Sequence, residues 1–252
     1  ADYVTAIDGW RMQMDCLARG EAPGVSHLPE VWIFTCSAEL VRAQAKPAEV
    51  RALYAKLEAV CREDVTAVKK RFGDTHRQTE VALGKLADVL SQQGNLADAE
   101  AVWREELETE KRLSGDKSPL VANSLMALGD VLRNAGKLVE AEATLREALA
   151  IRTKFLGKDD PATASTANAL GGVLQEQGKF ADAESIFRER LERLRSQASS
   201  DGPALAGALA QMTSLLLAQK KFVEAEPLAR ECLAIREKKM PENWLTFNAR
   251  SM

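Results

Sequence analysis

Apolar residues recur along this chain at helical spacing, and the helical pattern itself recurs every 42 residues. Between Ala122 and Pro161, Leu125, Leu128 and Leu132 mark the buried stripe of one amphipathic helix. Ala141, Leu145 and Ala148 mark that of a second, with Gly136 at the turn between them. One step of 42 residues reproduces the unit in both directions: Gly94, Gly136 and Gly178 are aligned, as are Pro119, Pro161 and Pro203. Ala99, Ala141, Ala183 and Ala225 share one position, and Leu107, Leu149, Leu191 and Leu233 another. A helix pair that cannot bury its apolar stripe alone does so by stacking on copies of itself, so the period predicts an array of stacked repeats.

The pattern divides the chain into three parts. Four regular repeats occupy residues 76–240. Their first helices are expected near 79–93, 119–135, 161–177 and 203–218, and their second helices near 96–113, 138–155, 180–197 and 222–239. Residues 1–75 read as a divergent repeat with a capping helix: a helix over 1–19, a linker from Gly20 to His27, then helices from Leu28 to Ala45 and from Pro47 to Phe72. Residues 241–252 open a further repeat or form a cap, with Trp244, Leu245 and Phe247 on the apolar side. In the fourth repeat Lys220 stands where the others have the turn glycine, so that turn must avoid positive φ or accept strain.

Leu125, Leu128, Gly129, Leu132, Ala141, Leu145 and Ala148 keep the spacing of the tetratricopeptide repeat, with leucine in place of its aromatics. Small residues at 129, 141 and 148 let the paired helices approach closely. The chain therefore resembles that family, and the long second helix with the ending LGKDDP is similar to its kinesin-light-chain type. The resemblance covers roughly residues 79–240 and implies an all-α fold, a right-handed α-solenoid of antiparallel helix pairs. It implies a non-enzymatic scaffold for protein partners. The small bacterial kinesin light chains found alongside bacterial tubulins further imply bacterial tubulin filaments as partner and a link from them to membrane. A motor heavy chain is not implied, because the heptad coiled coil that joins one is missing from these residues. The alternative is a repeat segment of a larger bacterial signalling protein carrying a kinase or nucleotide-binding switch.

Composition and charge narrow this further. With 46% apolar and 28% charged residues the chain belongs with folded, soluble proteins. A net charge of -3 argues against nucleic acid as partner, since phosphate recognition needs a basic excess. Cys16, Cys36, Cys61 and Cys232 form no C-x-x-C pair and read as reduced, mostly buried thiols of a cytoplasmic protein. No catalytic, cofactor-binding or metal-binding motif is present. Gly136-Lys137 and Gly178-Lys179 look like P-loop ends but are followed by Leu138 and Phe180, where Ser or Thr must hold magnesium. Trp103 and Phe187 fall in the core phase of the repeat.

Function is then expected on the face lined by the first helices. Helical phase turns Asp88, Met126, Asp130, Asn168, Gly172 and Ser214 inward, with Gln92, Arg133, Asn134 and Gln175 one turn on and Asn123 at the edge. Asp88 and Asp130 would repel the terminal carboxylate held by chaperone-binding members of the family. Asn123 and Asn168 resemble the asparagines with which kinesin light chains hold an extended peptide backbone. A second candidate surface is the basic cluster Lys69, Lys70, Arg71 and Arg77, which could dock weakly on an anionic membrane and make the protein membrane-peripheral.

Overall fold

The computed structural model describes residues 47–196 and 202–239. The expectations for residues 1–46, for the loose turn between Ser196 and Pro203, and for the tail beyond 239 lie outside these. Every described element is a helix: α1 Pro47–Phe72, α2 Arg77–Gln93, α3 Leu96–Ser114, α4 Pro119–Asn134, α5 Leu138–Leu156, α6 Pro161–Glu176, α7 Phe180–Ser196, α8 Pro203–Ala218 and α9 Phe222–Lys239. The bounds agree with those expected from the pattern to within two residues.

Each helix packs on the one before and the one after it. The pairs α2–α3, α4–α5, α6–α7 and α8–α9 are the four repeats, and α1 packs on α2 as the second helix of a preceding pair would. Two of the first helices, α4 and α6, start where a side-chain cap and a proline coincide. Ser118 Oγ accepts from Leu120 N–H at 3.2 Å, and Asp160 Oδ1 accepts from Ala162 N–H at 2.8 Å, ahead of Pro119 and Pro161 at first-turn positions.

One core runs the length of the stack. Leu83, Leu90, Leu132, Leu145, Leu170, Leu174, Leu209 and Leu216 are fully buried, and so are the small Ala99, Ala141, Ala148 and Ala183. Each large apolar side chain removed from water contributes about 1.5–3 kcal/mol. Trp103 and Phe187 are buried in this core, as their phase requires. The close approach expected at position 129 recurs one repeat later. A Cβ on Gly129 would lie 2.7 Å from Leu145, and one on Gly171 only 2.2 Å from the Phe187 ring.

The turns within the repeats adopt the left-handed conformation, with φ of 79° at Gly94, 74° at Gly136 and 75° at Gly178. Lys220 takes the same turn at φ 60°, so the fourth repeat accepts the strain. The lysines that follow the turn position in the last three of these repeats have a structural role. Lys137 Nζ reaches Glu100 of the preceding repeat at 2.9 Å, Lys179 reaches Glu142 at 2.6 Å, and Lys221 reaches Glu184 at 3.5 Å. Arg104, Arg146 and Arg188 grip the same glutamates from one helical turn on. These hydrogen bonds hold the three carboxyl groups below the usual glutamate range. The Gly-Lys pairs are inter-repeat staples.

Candidate functional site

The first helices α2, α4, α6 and α8 form one layer of the stack. Arg133 of α4 lies on Gly172 of α6, where a Cβ would come within 3.3 Å of the guanidinium. From there its Nε donates to Glu176 Oε1 at 2.8 Å. A side chain at 172 would make the guanidinium give by a few tenths of an ångström, so the two positions are coupled.

Asp88 and Asp130 sit one repeat apart on this layer. Water reaches Asp88, but the protein walls crowd it from the other sides, and this loss of hydration pushes its carboxyl up to about 6. Burial also raises Asp130, with Arg133 pulling it back down. Ser214 and Asn134 are exposed, Gln175 is half-buried, and Met126 is half-buried against the core. Gln92 is turned towards α1, where Tyr54 O–H donates to its Oε1 at 2.8 Å.

Asn123 and Asn168 have partners that the repeat pattern did not foretell. Arg152 of α5 is only 7% exposed, and its Nη2 donates to Asn123 Oδ1 at 2.8 Å. Its Nη1 donates to the Ala162 carbonyl at 2.9 Å and to Thr166 Oγ1 at 2.5 Å, so one guanidinium joins α4, α5 and α6. Arg190 of α7 is half-buried and its Nη1 donates to Asn168 Oδ1 at 2.6 Å. Among the described residues neither guanidinium meets a carboxylate within ion-pair distance, and burial lowers the pKa of both. The layer therefore carries more than the acidic Asp88 and Asp130, because two cations stand behind its asparagines.

The junction of the first two repeats carries the opposite charge. Glu106 and Glu110 of α3 are 3% and 1% exposed. Ser124 Oγ donates to Glu106 Oε1 at 2.9 Å, while Arg77 pairs with Glu110 and, at 3.2 Å, with Glu80. Loss of hydration, with Glu80 and Glu110 close by, pushes the Glu106 carboxyl up to about 8, so it is largely neutral at pH 7.

Arg152, Arg190, Glu106 and Glu176 were missed by reasoning from the first helices alone. A signal was present. Glu106, Ala148, Arg190 and Cys232 occupy one position of the second helix, and Glu110, Arg152, Leu194 and Arg236 another, so charged residues stand in slots whose phase is apolar.

The basic cluster presents less charge than its sequence implied. Lys69 is ion-paired with Glu105, and Arg77 with Glu110 and Glu80. Arg71 lies over the Phe72 ring at 5.0 Å, which leaves Lys70 and Arg71 without an acidic partner among the described residues. No helix among the described residues is long and apolar enough to cross a membrane. Burial pushes the Cys61 thiol up to about 11, so it is protonated and unreactive at neutral pH.

Helix pairs stacked on a shared core, with one layer of first helices left uncovered, define an α-helical repeat scaffold. Two tetratricopeptide repeat family models match the chain, one over residues 78–154 and again over 120–196, the other over 205–243. Together they span more than half of it, and the chain belongs to the tetratricopeptide repeat family. Members of this family are protein-interaction scaffolds.

No curated protein matches the chain in sequence. Among solved structures it is similar to a protein of Podosopora anserina with nearly identical TPR-like repeats, named for kinesin light chain. That likeness has 19% identity and a TM-score of 0.68, over 82% of this chain and 96% of that one. It is also similar to BtubC (BKLC) from P. vanneervenii, at 20% identity and a TM-score of 0.61, over 73% and 74% of the two chains. MamA protein is 17% identical with a TM-score of 0.51, over 78% of this chain and 97% of that one. These likenesses establish the fold, a tetratricopeptide solenoid of the kinesin-light-chain kind.

Proposed function

We propose that this chain is a non-enzymatic adaptor that holds an extended segment of a protein partner against the layer formed by α2, α4, α6 and α8. The observation that carries this reading is the layer itself. Gly84, Gly172, Ala210 and Ser214 keep it low, while Asp88, Asp130, Asn123 and Asn168 supply polar contacts along it. A backbone in extended form needs both, room to lie down and amides to pair with its N–H and C=O groups.

The likeness to BtubC (BKLC) and the kinesin-light-chain form of the repeat favour a bacterial tubulin filament as that partner. The test is co-sedimentation of the intact chain with polymerised bacterial tubulin, beside a Gly172→Trp variant in which the indole fills the layer. Saturable pelleting that the variant loses by about tenfold supports both partner and surface. Pelleting that survives in the variant places binding on another face. No pelleting with filaments removes tubulin as partner. Pelleting only with anionic liposomes at low salt moves the contact to Lys70 and Arg71.

A further inference from the structure

Two arginines of the second helices end on asparagine oxygens, and their chemistry settles which way those asparagines face. A guanidinium carries five N–H donors and no acceptor. The carboxamide atom that meets it must be the oxygen, so the amide cannot be the other way round at Asn123 or at Asn168. Oδ1 of Asn123 is taken by Arg152 Nη2 at 2.8 Å, and Oδ1 of Asn168 by Arg190 Nη1 at 2.6 Å. Neither Nδ2 has a protein acceptor among the described residues; Asn123 is an exposed residue, and the Nδ2 of the half-buried Asn168 is not a buried atom left without a partner. Both amino groups therefore open onto the layer. The guanidiniums are held in turn: Arg152 is 7% exposed and anchored on Ala162 and Thr166, and Arg190 is half-buried.

We infer that Arg152 and Arg190 are positioning residues, which fix Asn123 and Asn168 as outward hydrogen-bond donors and so bias the middle of the layer towards partner groups that accept. A free asparagine can pair with either a C=O or an N–H of a bound chain. With one lone pair of its oxygen held by a cation, its amino group is the side left for a partner. The α4–α7 part of the stack thus favours the carbonyl oxygens of an extended segment over a donor placed there, because an N–H facing an N–H is left unpaired. This rests on the reading that a partner lies on the layer of first helices.

The arrangement makes an unusual demand that a test can use. If Oδ1 faces the arginine, replacing the carboxamide by a carboxylate keeps an acceptor against the guanidinium and adds an ion pair, while the outward donor disappears. The probe is a fluorescein-labelled dodecapeptide obtained by panning a random phage-displayed library on the intact chain, with affinity read by anisotropy and stability by thermal unfolding. Asn123→Asp and Asn168→Asp are each expected to hold or raise Tm and to weaken the peptide about tenfold. Arg190→Met, which keeps the aliphatic packing but removes the donors, is expected to weaken it several-fold and to move the side-chain NH2 resonances of Asn168.

Asp variants with a Tm several degrees lower would mean that the amide nitrogen faces the arginine, and would overturn the inference. Retained Tm with undiminished peptide affinity would overturn the donor role. In that case Gly172→Trp separates the two claims. If it abolishes peptide binding, the partner still lies on this layer without using the asparagines. If it has no effect, or if no peptide is enriched at all, the layer reading fails and the positioning role with it.

Discussion

Glu106→Gln perturbs the junction between the first and second repeats in a way whose sign is set by pH. Glu106 lies on α3, with Glu80 close to it from α2, Glu110 one turn along its own helix and Ser124 on α4, while Arg77 of α2 pairs with Glu80 and Glu110. Its carboxyl is raised from the ordinary glutamate value near 4.5 to about 8, first by loss of hydration and then by Glu80 and Glu110. Below about pH 4.5 the group is protonated in both the folded and the unfolded chain and contributes no pH dependence. Between there and pH 8 the unfolded chain has released the proton that the folded chain keeps, so stability falls as pH rises. Above pH 8 the loss is complete. The two values correspond to a ceiling of about 5 kcal/mol, at about 1.36 kcal/mol per tenfold, and relaxation of the junction makes a change on the order of 3 kcal/mol the expected one.

Glutamine copies the neutral acid: its oxygen accepts from Ser124 and its amino group donates to Glu80. The variant should match the parent near pH 5 and exceed it by on the order of 3 kcal/mol at pH 9. Urea unfolding at each unit of pH from 5 to 9 measures this, with hydrogen exchange of α3 amides showing that the gain lies at this junction, since repeat arrays open unit by unit. A difference between variant and parent that stays flat across this range would refute the reasoning, because Glu106 would then be ionised in the folded chain.

Five further outcomes follow from the geometry. Gly171→Ala drives a Cβ to 2.2 Å from the buried Phe187 ring and should cost about 1–3 kcal/mol in denaturant melts. Gly207→Ala meets nothing within 4 Å and should gain about 0.5–1 kcal/mol. Lys220→Gly relieves the positive φ of 60° and should raise stability by about 1 kcal/mol in thermal unfolding, with the helix content by circular dichroism unchanged. Arg77→Ala leaves Glu110, 1% exposed, without its cation and should destabilise by about 1–3 kcal/mol in urea melts. By contrast Lys137→Ala removes an exposed staple and should cost under about 1 kcal/mol.

Helix positions, turn positions and the core were legible in the residues because they depend on period and local chemistry. The apolar positions of Leu125, Leu128 and Leu145 recur at fixed offsets, proline marks three of the first helices, and glycine marks three of the four turns. At Lys220 the residues posed two alternatives, avoiding positive φ or accepting strain, and the stack decided for the second because the turn geometry is imposed by its neighbours. That Asp88, Asp130, Asn168 and Gly172 share one face of the first helices is an expectation from the angle at which a helix turns its side chains.

What these side chains meet depends on the neighbouring repeat, and that was decided by the stack. Lys137, Lys179 and Lys221 each sit just after a turn, but their partners Glu100, Glu142 and Glu184 are 37 residues away. Arg152 lies 29 residues from Asn123, and Arg190 lies 22 from Asn168. The same slot of the second helix holds Glu106 at one junction and Arg190 at another, so the repeat pattern cannot say whether it carries a neutral acid or a cation. Periodicity determined that there is one continuous core with an uncovered layer of first helices. Only packing decided the charge behind that layer, because burial and hydrogen bonds between repeats set the protonation of Glu106 and the direction in which Asn123 and Asn168 face.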